Sequence, residues 1–131
     1  MTRTILIVED NDNIRLLLRD ILTYHRFTVL EANNGTDGIR MVRECNPDLV
    51  LMDIQMPVMD GITAGTVLKN DPVTSHVKVI AITSLAMKGD REKILAAGFD
   101  DYIAKPINTR QLPLIVNRHL MEELPEGTPA E

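Results

Sequence analysis

Five short apolar runs punctuate the chain, with amphipathic stretches between and after them. The runs are residues 4–8 (TILIV), 27–30 (FTVL), 49–52 (LVLM), 77–82 (VKVIAI) and 102–104 (YIA). The first, third and fourth are apolar with little alternation, the pattern of strands covered on both faces of a parallel sheet. The second and fifth are shorter or more mixed and suit sheet edges. After the first run, Ile14, Leu17, Leu18, Ile21 and Leu22 recur at i, i+3, i+4, i+7 and i+8. That spacing predicts a helix with one apolar stripe, capped by Asn11 or Asp12, with Leu16 pointing away from the stripe. Further helices are predicted over about 36–45, stopped by Asn46-Pro47, and over about 62–70, ended by Asp71-Pro72. A fourth spans about 87–97 and is closed by Gly98. A fifth runs from Thr109 as N-cap to Met121, with Pro113 near its first turn, where proline does least harm. Strand then helix, five times over, predicts an α/β domain of parallel strands joined by right-handed crossovers. Gly38, inside the second helix, costs about 1 kcal/mol relative to alanine there, and the sequence offers no reason for it.

Length and composition sharpen this picture. A chain of 131 residues makes one domain with a real core. With 15 Leu, 13 Ile and 10 Val against two Phe and two Tyr, that core is aliphatic and branched. The net charge of −5 is uneven: the last 11 residues carry four Glu and no base, leaving 15 acids against 14 bases before them. The expected division is a domain over residues 1–121 and an acidic, disordered tail over 122–131, the fold stopping near Leu124-Pro125. A basic nucleic-acid footprint, an apolar run of membrane-span length and a signal peptide are all absent from the sequence. The lone Cys45 cannot form an internal disulfide and is read as a small core residue, which suits a reducing cytoplasm.

In an open parallel α/β sheet, ligands bind beyond the carboxyl ends of the strands. The residues just after the runs therefore carry the chemistry. Glu9 and Asp10 follow the first, Asp53 the third, Thr83 and Ser84 the fourth, Lys105 and Pro106 the fifth. Three carboxylates on one rim repel unless a cation joins them. Oxygen donors with water suit Mg²⁺, while an ammonium and a hydroxyl complement a phosphoryl group. Singly, Asp10 reads as a helix cap, Thr83 as a strand residue and Lys105 as a solvated lysine. Complementary groups at four of five strand ends favour the phosphoryl site.

The stretches ILIVEDN (5–11), PDLVLMDIQMPVMDG (47–61), VIAITSLAMKGD (79–90) and GFDDYIAKPI (98–107) resemble the response-regulator receiver domains of two-component signalling. The spacings of 43 residues from Asp10 to Asp53, 30 to Thr83 and 22 to Lys105 fit that family. The resemblance implies a doubly wound, flavodoxin-like (βα)5 fold, its five-stranded sheet ordered 2-1-3-4-5 with helices on both faces. It implies that Asp53 accepts a phosphoryl group. It also implies that Mg²⁺, or Mn²⁺ in its place, is held by Asp10, Asp53, the main-chain carbonyl of Gln55 and, through water, Glu9. Thr83 and Lys105 would bind the phosphoryl oxygens, Thr83 and Tyr102 would form the switch, and Pro106 would follow a cis peptide. Gln55 and Leu85 would flank the phosphoryl group and tune its lifetime, the apolar Leu85 lengthening it.

The implied donor is a histidine kinase or histidine phosphotransferase. The implied output is binding of a downstream target protein or kinase by a monomer or a phosphorylation-dependent dimer, without nucleic-acid contact or membrane insertion. Leu16 and the 56–59 stretch (MPVM) are candidates for the partner surface, Met56 and Met59 equally for packing their own loop. Three other readings compete. A phosphatase working through an aspartyl phosphate needs an acid two residues after its nucleophile, where Gln55 stands. A nucleotide-binding module needs a glycine-rich first turn, where VEDNDN stands. A receiver excised from a hybrid histidine kinase or a larger regulator would share every motif; the natural-looking start and short tail favour a stand-alone protein.

Overall fold

The computed structural model describes residues 2–84 and 88–121. The expected acidic tail at 122–131 and the expected tuning residue Leu85 lie outside the described residues. The elements alternate as β1 (Thr4–Val8), α1 (Asp12–Tyr24), β2 (Thr28–Ala32), α2 (Gly35–Cys45) and β3 (Leu49–Asp53). They continue as α3 (Gly61–Asn70), β4 (Lys78–Thr83), α4 (Lys88–Ala96), β5 (Asp101–Ala104) and α5 (Gln111–Met121). All strand pairings are parallel, in the order β2-β1-β3-β4-β5. From β1 the chain winds one way to β2 and the other way through β3 to β5. The crevice beyond the carboxyl ends of β1 and β3 is thus the switch point where this architecture binds ligands.

Side chains alternate across a strand, so each central strand supplies two layers of core. Ile5, Ile7, Leu49, Leu51, Ile80 and Ile82 face α1 and α5, meeting Leu18, Leu22, Leu112, Val116 and Leu120. Leu6, Val8, Val50, Met52, Val79 and Ala81 face the other three helices and meet Ile39, Val42, Ala64, Leu68 and Ile94. Burial on both faces explains why these runs read as nearly continuous apolar sequence. The edge strands are more mixed. β2 continues past Leu30 through Glu31, whose charge is met by Arg15 at 3.3 Å and Arg19 at 3.5 Å.

Gly38 now has a reason. A Cβ there would stand 2.8 and 3.0 Å from the two γ-methyls of Val8, a fully buried residue. Glycine lets α2 lie close against the end of β1, immediately before the rim acids. Three expectations need correction. Cys45 is exposed at the end of α2 rather than in the core, because the buried stripe there runs through Gly38, Ile39 and Val42. Leu17 is 40% exposed; Leu18 and Leu22 carry the burial of α1, flanked by Ile14 and Ile21. The start of α5 is held by Asn108 rather than Thr109. Its side-chain oxygen accepts from the amides of Arg110 and Gln111 at 3.0 Å each, a reach that an asparagine amide has by geometry.

Candidate functional site

Glu9 and Asp10 leave β1 at the rim, Asp53 ends β3, Thr83 ends β4 and Lys105 follows β5. The fold brings Glu9, Asp10 and Asp53 together: one carboxylate oxygen from each lies within 4.8 Å of the others. Glu9 and Asp53 are each only 1% exposed, whereas Asp10 faces solvent. Asp10 is not the cap of α1. That role belongs to Asn11, whose side-chain oxygen accepts from the Ile14 amide at 3.0 Å.

Lys105 Nζ sits 3.3 Å from Asp53 Oδ1 and 3.5 Å from Glu9 Oε1, neutralising part of the acid cluster. The second contact lacks hydrogen-bond geometry, so Glu9 Oε1 is a buried acceptor without a hydrogen bond. The other oxygen, Oε2, accepts from the Asn11 amide at 3.2 Å. The Glu9 carboxyl is pushed up to about 8. Burial contributes most and the neighbouring Asp53 carboxylate adds to it, while the Asn11 amide and Lys105 pull the other way. A buried carboxyl that holds its proton beside two more carboxylates is a group from which a cation would displace that proton. Hard oxygen donors, one exposed and two buried, fit a small divalent ion that keeps part of its water.

The remaining groups frame this pocket. Asp53 Oδ1 accepts from the Gln55 amide at 3.1 Å. The Ile54 amide donates to the Ile82 carbonyl at 3.0 Å, carrying the β3–β4 pairing past Asp53 and bringing Asp53 level with the end of β4. Thr83 is fully buried there, and its carbonyl accepts from the Lys105 amide at 2.8 Å. The Lys105-Pro106 peptide is cis. Tyr102 is half-buried against the core on the α4 side. Its hydroxyl accepts from Arg91 Nη1 at 2.9 Å, with the guanidinium carbon 5.7 Å from the ring centre.

Of the loop between β3 and α3, Met56 is buried and Met59 packs on the core, which is the packing alternative for both. Val58 between them is fully exposed at φ 69°, a left-handed backbone that a β-branched residue rarely adopts. Leu16 is 44% exposed on α1. Gly61 opens α3 directly on the Asp53 backbone: a Cβ there would fall 2.2 Å from the Asp53 carbonyl oxygen.

Two features were not anticipated. The Gln55 side-chain oxygen accepts from both the amide and the hydroxyl of Ser84, strapping the loop after β3 to the loop after β4. Arg15 Nη1 donates to the Glu9 carbonyl at 2.8 Å. The only sequence signal for the second was the i, i+3 spacing of Asp12 and Arg15.

Comparison with known proteins points to one family and one fold. The family model for the response regulator receiver domain matches residues 5–117. The polar-differentiation response regulator DivK of Brucella ovis is 41% identical over 108 residues, 82% of this chain and 88% of DivK. The receiver domain of a sensor histidine kinase from Pseudomonas aeruginosa, solved with a magnesium ion coordinated in its active-site cleft, is 32% identical. It superposes with a TM-score of 0.85 over 92% of this chain and 99% of that one. The receiver domain of a signal transduction histidine kinase from Syntrophus aciditrophicus is 31% identical, with a TM-score of 0.88 over 99% and 98% of the two chains.

Proposed function

Because the chain belongs to the response regulator receiver domain family, a signalling module rather than a metabolic enzyme, we propose that Asp53 is the phosphoacceptor of a phosphorelay. The observation that carries this is the buried Asp53 carboxylate, set 3.3 Å from Lys105 Nζ and grouped with Glu9 and Asp10. An Asp53 oxygen attacks phosphorus in line. The new O–P bond forms as the P–N bond to a partner's histidine breaks, and neutral imidazole leaves when its other ring nitrogen carries the proton. Lys105 offsets the growing charge on the phosphoryl oxygens, and the Thr83 hydroxyl receives one of them.

Asp10, Asp53 and the Gln55 main-chain carbonyl would hold Mg²⁺, or Mn²⁺ in its place, with Glu9 acting through water. When bound, the ion supplies Lewis-acid screening between the attacking carboxylate and the phosphoryl group. Transfer then draws Thr83 toward the phosphoryl oxygens and lets Tyr102 turn further inward, altering the surface that a downstream protein reads. The donor is a histidine kinase or histidine phosphotransferase of the cytoplasm. The output is partner binding by a monomer or a phosphorylation-dependent dimer. A phosphatase reading is disfavoured because Gln55, two residues after Asp53, offers no proton, and its amide oxygen is occupied by Ser84. Leu85 cannot orient an attacking water, so the phosphorylated state is long-lived and Leu85→Asn shortens it.

The test is Mg²⁺-dependent phosphorylation by acetyl phosphate, followed by transfer from candidate histidine kinases, with Asp53→Asn as the control. Hydroxylamine-labile label on wild type that vanishes in Asp53→Asn is expected. Label that persists in Asp53→Asn overturns the assignment.

A further inference from the structure

We propose that Arg15 is a positioning residue for the metal pocket, setting the relative direction of Glu9 and Asp10 through the peptide that joins them. This rests on the reading of Glu9, Asp10 and Asp53 as a Mg²⁺ site. Arg15 lies one turn into α1, and its side chain is 19% exposed. Its guanidinium has three anchors: the turn after β1, the first turn of α1, and β2. Nη1 donates to the Glu9 carbonyl at 2.8 Å. Nη2 meets the Asp12 carboxylate in the first turn of α1. Nε lies 3.3 Å from Glu31 Oε1 on β2. The same corner of β2 holds Glu9 from the other side, since the Glu9 amide donates to the Ala32 carbonyl at 3.0 Å.

The Glu9 carbonyl belongs to the Glu9–Asp10 peptide. A peptide is planar, so fixing its oxygen fixes the plane, and with it the backbone angles that aim one acid inward and the other at solvent. Asn11, capping α1 and bonding Glu9 Oε2, holds the next peptide. Arg15 thus stands to the backbone of the acids as the partners of metal ligands stand to ligands elsewhere: removing such support lowers metal affinity about 10–100-fold. A guanidinium is suited to this because its rigid fork serves several acceptors at once, which an ammonium cannot do.

Charge alone predicts the opposite sign. Arg15 is a cation near a cation site, so deleting it would strengthen Mg²⁺ binding by relief of repulsion. Asp12 and Glu31 already balance that charge, leaving geometry as the dominant effect. The experiment measures Mg²⁺ affinity by calorimetry and metal-free stability by urea unfolding for wild type, Arg15→Met, Arg15→Lys and Glu31→Gln. Glu31→Gln removes the ion pairs that Glu31 makes with Arg15 and Arg19 but leaves the bond to the Glu9 carbonyl. The expected result is roughly a tenfold loss of Mg²⁺ affinity in Arg15→Met, partial recovery in Arg15→Lys, and a change within about twofold in Glu31→Gln despite similar loss of stability. Unchanged or increased affinity in folded Arg15→Met overturns the proposal. So does an equal loss in Glu31→Gln, which would trace the effect to general loosening. A wild-type protein that takes no Mg²⁺ overturns the pocket reading itself, an outcome distinct from either of these.

Discussion

The Glu9 carboxyl should make metal binding and stability opposite functions of pH. Burial and the neighbouring Asp53 push the Glu9 carboxyl up to about 8, which favours its protonated form at neutral pH in the metal-free protein. A cation that needs the carboxylate must expel that proton. Mg²⁺ binding at pH 7 should therefore release close to one proton, and the apparent affinity should rise nearly tenfold per pH unit from about 5 to 8, then level off. Without metal the sign reverses. The folded state holds the Glu9 proton up to about 8, whereas the unfolded chain releases it near 4.5. The folded state binds more protons across that window. The contribution is fully present below 4.5 and is lost as pH rises toward 8, with a limiting slope of about 1.4 kcal/mol per pH unit. Glu9→Gln keeps the shape and removes the proton. It should abolish the proton release, flatten the affinity profile, match wild-type metal-free stability near pH 5 and exceed it at pH 8. The chain has no tryptophan, so calorimetry in two buffers of different ionisation enthalpy is the assay for the proton. Urea unfolding followed by circular dichroism in chelator gives the stability. A wild-type Mg²⁺ affinity that is flat between pH 6 and 8, with no proton released, rules out a Glu9 proton displaced by the metal.

Three further outcomes follow from single contacts. Lys105→Met should lower the rate of phosphorylation by acetyl phosphate about 100-fold while leaving Mg²⁺ affinity equal or higher, because it removes a positive charge beside the acids; a slow variant with weakened Mg²⁺ binding contradicts this. Gly38→Ala gains helix propensity but drives a methyl against Val8, and urea unfolding should show a net loss of about 1–2 kcal/mol, since overpacking outweighs propensity. Val58→Asn keeps an exposed side chain but tolerates the left-handed backbone, and should raise stability by about 1 kcal/mol without altering phosphotransfer from acetyl phosphate.

The elements were legible because their signals are local. TILIV became β1 without adjustment, and Asn46, where the second helix was expected to stop, is its C-cap in a left-handed conformation. Strand order was not legible from periodicity, which says only that β1, β3 and β4 are covered on both faces; the family resemblance supplied the order. Burial along α1 was misjudged at Leu17 because a stripe of five apolar residues is wider than the groove the sheet offers. Cys45 was misjudged because a small apolar residue near a helix end carries no phase information of its own.

The site divides the same way. Glu9, Asp10, Asp53, Thr83 and Lys105 announced themselves because each follows an apolar run, and a parallel sheet delivers all such residues to one rim. The groups that arrange them left weaker marks. Arg15 acts through the main-chain carbonyl of Glu9, an acceptor that every residue possesses, so only its i, i+3 spacing from Asp12 marks it in sequence. Gln55 and Ser84 are 29 residues apart, and only the β3–β4 register brings their loops together. Gly38 looked like a defect because the cost of glycine is local, whereas its benefit lies across the sheet at Val8. Residues that meet a phosphoryl group or a metal must have the right chemistry, so their identity is visible. Residues that orient them need only the right position, and position is what the fold adds.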